Sequence, residues 1–274
     1  MNGYNCVVCI KQVPDTGKVT GQAMKADGTI NRAALPAIFN PEDRNALEAA
    51  LWVKETYGGT VTAITMGLPA ATTILREALM CGADRAVLVT DRKAAGSDTL
   101  ATSYILSQAV KKFNPDLVFC GRQAIDGDTA QVGPQIGEKL DCAVVTYLEK
   151  ILEVKEEGEG EGRRSVATVV RDIGTGVETC RAKLPALFTV TEKFGELRPF
   201  EMRRVMKHKN AEPEILTCDD IGAEADRCGF AGSPTNVNQI QSVVLAGGAY
   251  TEVAPNDEGI NGLVAGLIAD HTIG

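Results

Sequence analysis

Histidine is scarce: only His208 and His271 occur in 274 residues, and neither sits beside another histidine or a cysteine. No metal site is therefore expected, and a catalytic triad would need parts that lie nowhere near one another in the sequence. The commonest phosphate loops are missing too. No G-x-G-x-x-G follows the first apolar run, no G-x-x-x-x-G-K-S/T occurs, and no G-x-S-x-G elbow presents a nucleophilic serine. Positive charge is in short supply, and a net charge of −8 argues against nucleic acid or an anionic membrane as the main partner. Long apolar runs are absent as well. Gly262 to Ala269 is far too short to span a bilayer, and Met1-Asn2-Gly3-Tyr4 does not start a basic and then hydrophobic leader. A cytoplasmic or equivalent interior location is the expectation.

What remains is an ordinary globular composition, 44% hydrophobic and 23% charged, on a chain long enough for one large domain or a domain with an appended subdomain. The cysteines at 6, 9, 81, 120, 142, 180, 218 and 228 fall mostly inside apolar runs, as free buried thiols of a reducing compartment do. Cys6 and Cys9 spell C-x-x-C. On a strand, however, an offset of three puts their side chains on opposite faces, which argues against pairing.

Tyr4 to Val13 reads as a first buried strand, broken at Pro14-Asp15-Thr16-Gly17, and Ala26-Asp27-Gly28-Thr29 reads as a hairpin turn. Asn40-Pro41-Glu42-Asp43 opens a helix with a capping Asn, proline at the first helical position and acids in the first turn; Gly58-Gly59 ends it. Thr60 to Met66 is a strand, Ala70 to Met80 a helix stopped by Gly82, and Arg85 to Thr90 a strand. Asp98 then caps a helix running to Phe113. Asp116 to Cys120 makes a fourth strand. Such alternation means βαβ units: an α/β fold with a parallel, doubly wound sheet, right-handed crossovers and ligands at the strand C-terminal ends.

After Leu140 the rhythm changes. Ala143 to Val154 and Arg164 to Asp172 read as added strands joined by the acidic, glycine-rich loop Glu156 to Gly162, and Gly176 to Arg181 and Ala186 to Thr191 continue the sheet. A nucleotide-binding unit over residues 1–192 and a C-terminal segment over 193–274 are the expected divisions. The segment carries one basic stretch, Arg203 to Lys209, little periodicity from Cys218 to Tyr250, and a terminal helix, Glu258 to Ala269. A stretch that long without its own core is either an arm laid on a partner or a free tail.

The most informative stretch is Pro115 to Leu140, which reads as strand, glycine-bearing polar turn and then a helix from Ala130. A helix N-terminus at a sheet edge offers unpaired N–H groups and a positive dipole end, which suits a phosphate, although the same turn occurs in α/β proteins that bind nothing there. Asp126 and Asp128 fit helix capping or ribose hydroxyls better than acid–base work. With no catalytic side chains evident, a bound cofactor would carry the chemistry.

Four segments in this order, VVCIKQVPD (7 to 15), NPEDRNALEAAL (40 to 51), MCGADRAVLVTD (80 to 91) and GRQAIDGDTAQVGPQI (121 to 136), resemble the beta, or small, subunit of electron-transferring flavoproteins. RAKLPAL (181 to 187), LRPFEMRRVMKHKN (197 to 210) and AGSPT (231 to 235) look like the same family's continuation. The resemblance implies a heterodimer with an FAD-bearing alpha subunit, wrapped by the C-terminal arm, and a sheet of the adenine-nucleotide-hydrolase type. It also implies a nucleotide in this subunit: AMP in the ordinary branch, or a second FAD in the electron-bifurcating branch, where NADH donates hydride and a low-potential carrier such as ferredoxin or flavodoxin takes one electron.

Carried over by position, the nucleotide contacts fall at Cys9; at Asn40, Pro41, Glu42 and Asp43; at Met66; and at Ala124, Ile125, Asp126, Gly127, Asp128, Thr129, Ala130, Gln131, Val132, Gly133, Pro134 and Gln135. A loop contacting a flavin dehydrogenase maps onto Leu197 to Arg204, around Leu197, Arg198, Phe200 and Met202. Gly127, Thr129 and the run AQVGPQ look like the FAD-binding type, with Gly127 removing a side chain where a cofactor backbone must approach; the strand Val170 to Arg181 looks nearer the ordinary AMP type. An adenine-nucleotide hydrolase or ATP-using ligase would carry S-G-G-x-D-S after the first strand, where this chain has VPDTGK. A stand-alone nucleotide sensor would fold without a partner.

Overall fold

The computed structural model describes residues 3–15, 35–158, 164–235 and 252–273. The hairpin turn expected at Ala26 to Thr29, the tip of the acidic loop beyond Gly158 and the stretch from Asn236 to Tyr250 lie outside these residues.

In chain order the first half comprises β1 (Tyr4–Cys9), β2 (Gln12–Pro14), β3 (Ala37–Phe39), α1 (Pro41–Tyr57), β4 (Gly59–Met66), α2 (Thr72–Cys81), β5 (Arg85–Val89), α3 (Thr99–Lys111), β6 (Leu117–Gly121) and α4 (Val132–Lys139). The second half adds β7 (Ala143–Glu157), β8 (Arg164–Asp172), β9 (Val177–Lys183), β10 (Ala186–Val190), α5 (Met202–His208), β11 (Glu214–Leu216) and α6 (Asp257–Ala269). Nine strands form one sheet in the order β11-β5-β4-β1-β6-β10-β7-β8-β9. All pairings are parallel as far as β7, and β8 and β9 close that edge antiparallel.

The sheet is covered on both faces, as the βαβ alternation predicts. Residues of α1 and α2 share one core with Cys6 and Val8, and residues of α3 and α4 share the other with Val7 and Cys9. Cys6 and Cys9 thus face opposite layers. The chain runs from β1 outward through β4 to β5, then returns to pair β6 on the other side of β1, so the order reverses between β1 and β6. In a doubly wound sheet that reversal opens a crevice beyond the strand C-termini.

Two expectations need correction. Tyr4 to Val13 is two strands, because the chain leaves the sheet at Lys11, whose N–H donates to Asp43 and whose carbonyl accepts from the Asn40 N–H. The fourth helix begins at Val132 rather than Ala130, since Asp128 and Ala130 adopt left-handed φ values of 49° and 52° that interrupt helical geometry. Ala186 to Thr191 continues the sheet as expected. As β10 it inserts between β6 and β7, buried along its whole length, which accounts for its unbroken apolar run ALFTV.

The C-terminal part returns to the sheet. β11 pairs with β5 at the far edge, with Glu214 also reaching Arg85 at 2.7 Å. Ser233 then receives the Asp98 N–H at 2.8 Å, and Asp98 receives the Thr235 N–H at 3.1 Å. Helix α6 is capped by Asn256 but leaves Ile260, Leu263, Val264 and Ile268 exposed. Among the described residues no helix is long and apolar enough to cross a membrane.

Candidate functional site

A cavity of about 420 Å³ opens at the β1/β6 reversal, within the roughly 300–1,000 Å³ typical of small-molecule sites. Its floor is made by Cys9 and Cys120, paired in register across β1 and β6, and by Met66 at the end of β4. One wall is Gly121 to Ala124 and Gly127 to Gly133, and the opposite wall is Ser97, Asp98, Thr99 and Thr102 at the start of α3.

The loop between β6 and α4 is held by the first turn of α1. Asp43 accepts the N–H of Lys11 at 2.8 Å and of Gly121 at 3.0 Å, which ties the ends of β1 and β6 to the helix. Glu42 accepts two bonds from the Arg122 guanidinium, at 2.7 and 3.2 Å, and the Gln123 N–H at 3.0 Å. Asn40 donates to the Gln123 carbonyl and accepts the Ile125 N–H, at 2.9 and 3.2 Å. Asn40 therefore stands at the helix start but turns its side chain outward to the loop instead of capping α1. Gly121 fits only because it lacks a side chain: a Cβ there would lie 2.4 Å from the Asp43 carboxylate and 2.8 Å from the Asp43 backbone nitrogen.

Beyond Gln123 the loop is fastened through side chains. Asp126 pairs with Lys11 at 2.8 Å, and Asp128 accepts from Gln123 Nε2 at 3.0 Å. Neither caps helix amides, a correction to that part of the expectation. Gln131 and Gln135 reach across to Thr99 and Ser103 of α3, at 2.8 and 2.9 Å. The N–H groups of Thr129, Ala130, Gln131, Val132 and Gly133 donate to no acceptor among the described residues. Pro134 has no N–H to orphan, and its fixed φ suits the first helical turn. A Cβ at Gly127 would meet nothing within 4 Å, so the fold itself does not require glycine there.

Of the residues expected at the nucleotide, the cavity thus gathers Cys9, Asp43, Met66, Ala124, Gly127, Asp128, Thr129, Ala130, Gln131, Val132 and Gly133. Asn40, Pro41, Glu42, Ile125, Asp126, Pro134 and Gln135 stand outside its lining. Several of these, namely Asn40, Glu42, Asp126 and Gln135, bond the lining residues instead. Sequence reasoning missed Lys11, Arg122, Gln123 and the Ser97 to Thr102 wall. The general rule that ligands sit beyond strand C-termini, applied to the end of β5, points to that wall.

Electrostatically the lining is mixed. Lys11 and Arg122 are engaged by Asp126 and Glu42. A bound anion would therefore rest on backbone N–H groups. Cys120 hydrogen-bonds Cys9 and is buried, which raises its thiol well above the usual value, so it meets a ligand uncharged. Burial likewise pushes the Asp43 carboxyl up to about 7, against the opposite pull of the Asn40, Lys11 and Gly121 hydrogen bonds. Below about pH 4 the group is protonated in both folded and unfolded chains; from there to about 7 the folded chain keeps a proton that the unfolded chain releases. Stability should accordingly decline as pH rises through that window and level off above it. Urea unfolding of wild type and Asp43→Asn across the window tests this: the variant should lose the decline, and an unchanged slope would clear Asp43 of causing it.

Among the described residues no group of three or more His, Cys, Asp or Glu is placed to hold a metal ion. The expected dehydrogenase-contact segment divides in two. Leu197 packs against the core and Arg198 is tied to α1, whereas Phe200 and Met202 are exposed; Met206, beyond the expected segment, is exposed as well.

Residues 27–220 match the electron transfer flavoprotein domain family. The chain is 41% identical over 269 residues to electron transfer flavoprotein subunit beta of Clostridium acetobutylicum, covering 98% of this chain and all of that one. It is 46% identical over 240 residues to protein FixA of Azorhizobium caulinodans, covering 85% and 83% of the two chains. Over 275 residues it is 41% identical to the acryloyl-CoA reductase electron transfer subunit gamma of Anaerotignum propionicum, covering 97% and 98%.

Proposed function

Given that the chain belongs to the electron transfer flavoprotein family, as a beta subunit serving electron transport beside an alpha subunit, we propose that its cavity holds FAD and that NADH is the electron donor there. The observation that carries this reading is the pairing of free N–H groups at Thr129 to Gly133 with an open Gly127 on the same wall. The amides suit a pyrophosphate, and the missing Cβ leaves room for a cofactor backbone to lie against the loop. When bound, FAD supplies two-electron acceptance from hydride and one-electron transfer onward, to the alpha-subunit flavin and to a low-potential carrier such as ferredoxin or flavodoxin.

The chain's own part is positioning. Glu42, Asp43 and Asn40 fix the loop from Gly121 to Ile125 against α1, and the Thr99 and Ser103 hydroxyls brace the Gln131 and Gln135 side chains at the start of α4. Cys9, Cys120 and Met66 give a floor of sulfur-bearing side chains against which a planar ring can rest. The exposed Phe200, Met202 and Met206 offer an adaptable apolar contact to a flavin dehydrogenase. The exposed apolar stripe of α6 suits an arm laid along the alpha subunit. The division into residues 1–192 and 193–274 follows this split between holding a nucleotide and meeting partners, and a cytoplasmic location suits NADH as donor.

Extracting the cofactors from the purified heterodimer tests the reading. Two FAD per heterodimer, with NADH oxidation, are expected. One FAD and one AMP without NADH oxidation would establish the second reading, an ordinary AMP-holding carrier, which the segment Val170 to Arg181 favours by its likeness to that branch. Gly127→Asp should lower flavin retention about ten-fold while leaving stability within roughly 0.5 kcal/mol of wild type. Unchanged flavin content in that variant would remove the argument from Gly127.

A further inference from the structure

We infer that α1 is a shared strut registering the dehydrogenase-docking segment to the nucleotide loop, with Arg198 as the positioning residue; this rests on the docking reading of Phe200 and Met202 above. One end of the helix clamps the loop after β6 through Asn40, Glu42 and Asp43. Further along, the same helix clamps the chain that leads into α5. Glu48 accepts the Arg198 N–H at 3.0 Å, its Nε at 3.0 and 3.2 Å and its Nη2 at 2.7 Å, while Glu55 takes Nη1. Asn45 donates to the Gly195 carbonyl at 2.6 Å.

The geometry makes Arg198 the point where the docking segment is fixed. Backbone and side chain of one residue both close on one carboxylate, so the guanidinium cannot shift without moving the main chain. The Glu48 and Arg198 side chains are only 16% and 25% exposed, which keeps solvent from weakening the pair as it does open surface pairs. Downstream, the segment rests on the end of α2: Glu201 N–H reaches the Met80 carbonyl at 3.3 Å, and Arg204 reaches the Ala83 carbonyl at 3.3 Å. Past these anchors Met202 and Met206 project, 72% and 74% exposed. From Glu42 to Glu48 the helix advances about 9 Å at 1.5 Å per residue, so one rigid element sets both the loop at the cofactor cavity and the face that meets the partner.

The test uses the full heterodimer, an acyl-CoA dehydrogenase as electron partner, and the variants Arg198→Ala, Arg198→Lys and Met202→Glu. Arg198→Ala should raise KM for the dehydrogenase about ten-fold, with kcat and flavin content unchanged, and should speed amide exchange over residues 199–209. Arg198→Lys, which keeps the charge but not the fork, should recover only part of both effects. Unchanged exchange in Arg198→Ala would overturn the strut, while a raised KM in Met202→Glu would leave the docking reading standing. Accelerated exchange with KM unchanged in every variant would overturn the docking reading and, with it, the role given to Arg198. A loss of flavin content in Arg198→Ala equal to its loss of docking would reduce the residue to a general stabiliser and also overturn the inference.

Discussion

Gly121→Ala should destabilise the protein by about 3 kcal/mol, the upper end of the range for overpacking a close contact. The added methyl would sit 2.4 Å from the Asp43 carboxylate, 2.7 Å from the Glu42 carbonyl carbon and 2.8 Å from the Asp43 nitrogen. Two of these three neighbours are main chain, so no rotamer change relieves them, and the first turn of α1 must withdraw from β6. Urea unfolding measures the effect. A loss below about 1 kcal/mol would show that helix and strand separate readily, contrary to the hydrogen bonds that join them. The contrast with Gly127, whose Cβ position faces open space on the same loop, separates a glycine the fold needs from one it does not.

Glu42→Ala should cost about 2 kcal/mol and lower nucleotide retention. The substitution strands the Arg122 guanidinium and the Gln123 N–H, which now share one carboxylate at 2.7 to 3.2 Å. Bonds to a charged group contribute roughly 1.5–3 kcal/mol; because the Arg122 side chain remains 31% exposed, water recovers part of the loss. The double variant Glu42→Ala with Arg122→Ala removes both partners and should lose less than the sum of the two single alanine changes. Strict additivity in that cycle would mean the pair does not act as a clamp.

Much of this architecture can be read from the sequence because its signals are local. Asn40-Pro41 starts α1, Gly58 ends it, and Asp98 caps α3 through the Leu100 and Ala101 N–H groups. Even so, a boundary can be right while the side chain at it does something else: Asn40 marks the helix start, yet its amide serves a loop distant in sequence. The loop from Arg122 to Gln131 runs past Ala130 because that residue takes left-handed backbone, which nothing about an alanine signals, unlike the neighbouring Asp128, whose residue type visits that region more readily. In the cavity lining, Cys9, Met66 and the residues from Gly127 to Gly133 are reached from the family resemblance, and their places agree with the expectation that ligands sit at strand C-terminal ends. Lys11 and Arg122 are not reached, because their partners, Asp126 and Glu42, are set by the tertiary arrangement.

The insertion of β10 between β6 and β7 carries a consequence for the order of assembly. β6 needs a neighbour on that side, and it finds one only in Ala186 to Val190, with the Arg122 N–H bonded to the Val190 carbonyl at 3.0 Å. A chain emerging from the ribosome holds all of Cys9 to Gln135 well before it holds that neighbour, so α1 can already clamp the loop after β6 while that edge of β6 stays unpaired through synthesis of β7, β8 and β9. Closing so long a connection is slow compared with forming the local helices. Nascent chains arrested before Ala186 would therefore expose β6 as an open edge, the kind of unpaired strand that invites association.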